Sequence, residues 1–190
     1  MFGYPLFLDL KGRTCLVFGG GEVAFRKIQA LLKRGAQVKC VSKEFSTSLR
    51  KLARTVGATL RGRPNGIKGQ THKSAPTLQL KWAKNGRIDV SGAELVIAAT
   101  SDRDFNARVA EACRKKKIWI NVVDDPKLCD FYVPAVVERG PLQVAISTGG
   151  ASPLFAKRLR EELEKIIPPS TGDLLEKIGK IRQARRFKKK

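Results

Sequence analysis

Three observations predict an α/β fold, a parallel sheet followed by a hairpin and a small helical end, for this chain of 190 residues. Short, unbroken apolar runs alternate with segments of helical periodicity as far as Val123. A run of three glycines joins the first apolar run to the first helical segment. Beyond Val123 the alternation gives way to two strand-like stretches around a tight turn, then to helical segments alone. Strands that alternate with helices pair in parallel through crossover connections, which is the first part of the prediction.

Thr14-Cys-Leu-Val-Phe18 is an apolar run of the kind found in a strand covered on both faces. Gly19-Gly-Gly21 interrupts it, and Ala24, Ile28, Leu31 and Leu32 then recur at helical spacing until Gly35. Gln37 to Ser42 reads as the second strand. Ser46 is placed to cap a second helix through Leu49, Leu52, Ala53 and Val56, ending before Gly57, and Ala58 to Leu60 opens a third strand. Residues 62–92, rich in Gly, Pro and Lys, read as an irregular basic insertion. Glu94 to Thr100 resumes as a buried strand. Asp102 caps a helix through Phe105, Val109 and Cys113, and Ile118 to Val123 is the next strand, with Trp119 inside it. Tyr132–Val137 and Leu142–Ser147 form a hairpin around Arg139-Gly-Pro141. Ser152-Pro153 opens a helix, and Ser170 to about Arg182 is a last one. The division expected is a nucleotide-fold domain over 1–123, a hairpin module over 124–151, and a helical domain with a basic tail over 152–190.

Composition excludes several classes. Lys and Arg number 38 against 17 Asp and Glu, a formal charge of +21, and residues 61–90 and 177–190 supply +14 of it. The core is therefore only mildly basic. No apolar run approaches the ~18 residues of a membrane helix, and Met1–Leu10 has no basic leader, so no membrane and no signal peptide are expected. Four scattered cysteines without a C-x-x-C pair fit a reducing cytoplasm and offer no zinc spacing. Cys129 alone reads either as a metal ligand or as a core or interface thiol. The basic segments allow nonspecific nucleic-acid binding, but no helix-turn-helix, zinc finger or aromatic-interleaved basic strand accompanies them. His72, the one histidine, lies in the insertion, away from any expected site.

Gly19-x-Gly21-x-x-Ala24 matches the dinucleotide fingerprint, and its position after a strand and before a helix is what the mechanism requires. The first glycine makes the turn, the second lets a pyrophosphate approach the backbone, and the small third residue lets helix and strand pack. The free N–H groups at the helix start favour the anion. The domain is thus Rossmann-like, with NAD as the expected cofactor. The acid that usually meets the ribose about 20 residues on is not in its usual place. Glu44 falls slightly late, and Lys43 equally suits a 2′-phosphate.

Asn121-Val-Val-Asp124 puts a carboxylate after a buried strand, at the sheet edge where open α/β folds bind ligands. Ser147-Thr-Gly-Gly150 precedes a helix and offers hydroxyls and backbone N–H groups to an anion. Together with Gly19–Lys27 and Ala98-Ala-Thr-Ser-Asp102, these stretches resemble the siroheme synthase dehydrogenase family, which comprises precorrin-2 dehydrogenases, some of them also sirohydrochlorin ferrochelatases. The resemblance covers roughly residues 4–60 and 93–168.

What the resemblance implies is NAD-dependent oxidation of precorrin-2 to sirohydrochlorin, on the route to siroheme and in some organisms haem. It implies a homodimer, with the hairpin module forming much of the interface. The family's important aspartate falls on Asp124, as base in dehydrogenation and as proton acceptor or metal handler in bifunctional members. Its nucleotide contacts fall on Gly19, Gly21, Glu22 and Val23, then on Lys43, Glu44 and Thr100. Its tetrapyrrole-lining turn falls on Thr148, Gly149 and Gly150. No dedicated metal cluster is expected, Arg139 and Lys127 are possible contacts for substrate carboxylates, and the chain is not read as the long multifunctional form. A catalytically silent tetrapyrrole scaffold and a nucleotide-sensing module are the alternatives to an enzyme.

Overall fold

A computed structural model describes residues 3–61, 76–82 and 86–187. Thr14–Phe18 forms β1, Glu22–Lys33 α1, Gln37–Ser42 β2, Thr47–Arg61 α2, Thr77–Trp82 β3, Leu95–Ala98 β4, Arg103–Lys115 α3 and Trp119–Val122 β5. The five strands make one sheet in the order β3-β2-β1-β4-β5, with every pairing parallel. The order reverses between β1 and β4, so a crevice is expected at the carboxyl ends of those two strands.

The pleat sorts alternate residues of each strand to opposite faces. Cys15, Val17, Val38, Cys40, Leu95 and Ile97 pack with Ala24, Ile28 and Leu31 of α1 and Leu49 of α2. Leu16, Phe18, Val96, Ala98, Ile120 and Val122 pack with Val109, Ala110 and Cys113 of α3. Both faces are covered, which is why the central strands read as unbroken apolar runs. Each fully buried Val or Ile contributes roughly 1.5–3 kcal/mol relative to exposure.

Three expectations are corrected. α2 continues through Gly57 to Arg61, so Ala58–Leu60 is helix and not the third strand. A glycine inside a helix costs only about 1 kcal/mol, and one such residue does not stop an otherwise periodic segment. The third strand is Thr77–Trp82, within the stretch expected to be irregular. Among the described residues it pairs with β2 alone, along its whole length. Of the expected insertion, residues 62–75, with His72, and 83–85 lie outside the described residues, whereas 86–92 are described and bury Val90. Trp119 is 44% exposed at the start of its strand rather than buried, and Trp82 stands edge-on to Phe45 with ring centroids 5.0 Å apart.

The chain divides into two compact units, Pro5–Tyr132 and a second that takes in the N-terminal residues as far as Tyr4 and the chain from Val133 on. In the second, Ala135–Arg139 (β6) and Leu142–Ile146 (β7) form an antiparallel hairpin, followed by Pro153–Ile166 (α4) and Ser170–Phe187 (α5). Hairpin and terminal helices thus share one unit, and the boundary falls nine residues beyond the one placed after Val123 in the sequence. Gly140 turns the hairpin with φ +55°, and Gly172 lies so close to Arg139 and Gly140 that a side chain there would strike their backbone.

Candidate active site

The carboxyl edge of the sheet is assembled from four strand ends. Gly19 follows β1, Ser42 ends β2 with Lys43 and Glu44 after it, Thr100 follows β4 and Asp124 follows β5. Backbone bonds stitch this edge together: Gly19 N–H to Val41 O at 2.9 Å, Ala99 N–H to Phe18 O at 2.7 Å and Val123 N–H to Ala98 O at 2.9 Å. Eight of the expected site residues (Gly19, Gly21, Glu22, Val23, Lys43, Glu44, Thr100 and Asp124) therefore lie along one edge of the first unit.

The three glycines of the turn do different work. Gly19 has φ +116°, and a Cβ there would overlap the carbonyl of Ala99. Gly20 sits against the loop after β2, where a Cβ would overlap the carbonyl of Glu44, and its own carbonyl accepts from Ser46 N–H at 2.8 Å. Gly21 faces open space, with nothing within 4 Å of a Cβ. Gly21 is also the N-cap of α1 and supplies no side-chain acceptor to the first-turn N–H groups. Those N–H groups and the helix dipole form a positive end beside an open approach, which suits a pyrophosphate. The residues present thus fit a dinucleotide.

Beneath the turn, the Cys40 thiol donates to Gly19 O at 3.2 Å. Burial pushes its pKa up to about 12, so the thiol stays protonated and keeps that bond. Neither Gly20 nor Cys40 stood out in the sequence as part of the site, and a contact of either kind leaves no spacing signal. At the end of β2, Ser42 Oγ accepts from Glu44 N–H at 3.4 Å, while the Lys43 and Glu44 side chains are exposed.

Thr100 is held by α3. Its hydroxyl meets Asn106 Oδ1 at 2.6 Å, and its carbonyl accepts from Asn106 Nδ2 at 3.0 Å. Asn106 is 4% exposed, so a buried amide fixes this strand end. Asp102 caps α3 as expected, accepting from Phe105 N–H at 2.8 Å.

Asp124 has φ +63°, one of two described non-glycine residues in the left-handed region, and its side chain is exposed. That conformation costs about 1–2 kcal/mol for an ordinary residue and less for an aspartate. Half-buried Lys27 on α1 lies within its field. Burial lowers the Lys27 pKa, with Arg26 adding to the effect, while Cys129 and Asp124 draw it back up. Lys27 was inside the resembling segment without a role of its own.

In the second unit, Gly149 and Gly150 have φ +62° and +88°, and Thr148 Oγ1 accepts from Ser152 N–H at 3.1 Å. The Thr148 hydroxyl still has a proton to donate. Ser152 caps α4 through Phe155 N–H, with Pro153 in the first turn. Arg139 is engaged elsewhere than expected. Its Nε donates to Ile167 O and its terminal nitrogen to Glu164 O, both at 2.8 Å, closing the C-terminus of α4. Lys127 is exposed next to the Asp124 turn. Among the described residues no three His, Cys, Asp or Glu side chains gather as a metal-holding group, and no helix is long and apolar enough to cross a membrane.

Comparison with known proteins places this geometry. Residues 6–135 match an NAD(P)-binding family, and residues 139–166 match the central region of sirohaem biosynthesis proteins. The chain is 38% identical over 180 residues to a siroheme synthase of Actinobacillus pleuropneumoniae and 41% identical over 172 residues to one of Thioalkalivibrio sulfidiphilus. These alignments take in 95% and 90% of the chain but 33% and 31% of the relatives, so the chain spans about a third of their length. A solved structure titled SirC, precorrin-2 dehydrogenase, superimposes with a TM-score of 0.66 at 30% identity, covering 92% of this chain and 76% of that one. The chain belongs to the siroheme synthase dehydrogenase family and carries that family's NAD(P)-binding domain.

Proposed function

We propose that this protein is an NAD-dependent dehydrogenase that oxidises precorrin-2 to sirohydrochlorin. The observation that carries the reading is the pairing, on one sheet edge, of an open glycine cradle at Gly21 with an exposed carboxylate at Asp124. The oxidation removes a hydride and a proton, and NAD, when bound, supplies the hydride acceptor. Gly21, Glu22 and Val23 would hold its pyrophosphate with the free N–H groups at the start of α1, Gly19 making the turn that brings them there, Lys43 and Glu44 would meet its ribose, and Thr100 would line the next strand end. Asp124 takes the proton as general base. Thr148, Gly149 and Gly150 receive carboxylates of the substrate.

The working protein is proposed to be a cytoplasmic homodimer. Leu154, Phe155 and Leu159 of α4 stand exposed, as do Leu174, Ile178 and Ile181 of α5, and apolar surface of this kind favours a covering partner. All four cysteines are free thiols, in keeping with a reducing compartment. The reading is tested by anaerobic incubation with precorrin-2 and NAD, following absorbance of the tetrapyrrole. Sirohydrochlorin formed only when NAD is present supports it, and no oxidation with NAD or NADP refutes it. Repeating the incubation with Fe²⁺ or Co²⁺ reads whether the chain also inserts metal.

A further inference from the structure

We infer that Cys129 is a positioning residue whose sulfur ties together the two ends of the Val123–Asp124 turn and so sets the direction of the Asp124 carboxylate. The inference rests on the reading of Asp124 as the base. Its ground is the set of bonds around Sγ. Val122 N–H, on the strand side of the turn, donates to the sulfur at 3.1 Å, and Asn121 Nδ2 approaches it at 3.5 Å. The thiol has one proton, and two acceptors lie within its reach: Val122 O at 3.2 Å and Asp125 O at 3.3 Å. Residues 122 and 125 flank Val123 and Asp124, so one atom spans the turn.

The turn needs such a tie. Its own closing bond, Asp125 N–H to Val122 O, is long at 3.4 Å, and Asp124 is held at φ +63° where few side chains settle. The chain after it is arranged to deliver the sulfur. Asp125 Oδ1 accepts from Lys127 N–H at 3.2 Å, Pro126–Leu128 makes one 3₁₀ turn, and Cys129 N–H bonds Pro126 O at 3.2 Å. Asp130 then returns to β5, its N–H on Ile120 O at 2.8 Å and its Oδ2 accepting from Ile120 N–H at 3.1 Å. Asn121 Nδ2 also reaches Phe131 O at 2.9 Å. The other three thiols are wholly buried, Cys40 with the single carbonyl of Gly19 as partner, whereas Cys129 is half-buried and bonded to backbone on both sides of the turn. A thiol serving only as apolar filling has no need of those partners.

The test compares wild type, C129A, C129S and D124N in the full chain. Precorrin-2 oxidation, NAD affinity, thermal unfolding and amide exchange at residues 122–125 are all measured. Misplacing a catalytic group by about 1 Å costs up to roughly 100-fold in rate. C129A is expected to lose between roughly 10- and 100-fold in kcat with NAD affinity unchanged and faster exchange in the turn. C129S keeps a donor and acceptor on a shorter arm, so it recovers part of the loss. A C129A enzyme with wild-type kcat and unchanged exchange overturns the inference, as does a loss of NAD affinity in step with kcat. If D124N turns over like wild type, the assignment of the base fails instead. Exchange in C129A then decides the clamp alone: faster upholds it and unchanged overturns it.

Discussion

Replacing Gly20 and Gly21 by alanine, one at a time, separates a packing role from a ligand role within a single turn. In G20A the new methyl overlaps the carbonyl of Glu44 and lies 2.8 Å from Ser42 Oγ, so backbone has to move. The loop after β2 is pushed away, and the 2.8 Å bond from Ser46 N–H to Gly20 O is strained or lost. Overpacking against backbone costs about 1–3 kcal/mol and a lost hydrogen bond about 1, a destabilisation of about 2–4 kcal/mol in all. In G21A the methyl meets nothing within 4 Å, and the backbone angles there (φ −84°, ψ −173°) suit alanine. Its stability is expected to fall by less than about 1 kcal/mol, the difference between glycine and alanine at an N-cap. NAD affinity, read by quenching or transfer fluorescence on titration, should fall in both: in G20A because Lys43 and Glu44 move, in G21A because the methyl stands where the pyrophosphate approaches. Urea unfolding supplies the stability axis. Equal stability losses in the two variants, or full NAD affinity in G21A, would refute the division of labour.

Three further outcomes follow from the same structure. D102A removes the acceptor for Phe105 N–H and should lower stability by about 1 kcal/mol in urea unfolding. R139M strips the carbonyls of Glu164 and Ile167 of their donor and should destabilise the hairpin and α4, visible as a lower melting temperature, while leaving NAD affinity unchanged. Stability should also decline above about pH 9. Burial raises the pKa of Cys40 from 9.0 to about 12, and those of Cys15 and Cys113 to about 11. Below pH 9 both states hold neutral thiols. As pH rises, the unfolded chain ionises first and is favoured until the folded pKa values are passed. Urea midpoints across that range check this, and C40A should flatten the decline.

Much of this fold was legible because the central strands are buried on both faces. Thr14–Phe18 and Leu95–Ala98 are apolar runs without competition, Gln37–Ser42 sets Val38 and Cys40 at alternate, buried positions, and Ser46, Asp102 and Ser152 mark helix starts by the chemistry of capping. β3 was not legible. Thr-Leu-Gln-Leu-Lys-Trp is an edge strand with no wholly buried residue, and its mixed composition merges with the basic stretch around it. Gly57 was misread because a glycine signals a helix end only where the periodicity also stops. At the site, the sequence marks residues that would touch a ligand, since a fingerprint or a family motif records them. It is silent on the supports: Gly20 against Glu44, Cys40 under Gly19 and Asn106 behind Thr100 depend on which strands become neighbours. Arg139 shows the converse, a cation offered to an anionic substrate by its charge and spent on helix carbonyls by its position.

The most direct test of the account is a single anaerobic turnover of stoichiometric precorrin-2, with reduced nicotinamide and sirohydrochlorin quantified together in wild type and D124A. The account predicts one NADH formed per sirohydrochlorin in the wild type, and a D124A protein that binds NAD normally but forms neither product at a comparable rate. Sirohydrochlorin formed without matching NADH, or a D124A protein as fast as wild type, would contradict it.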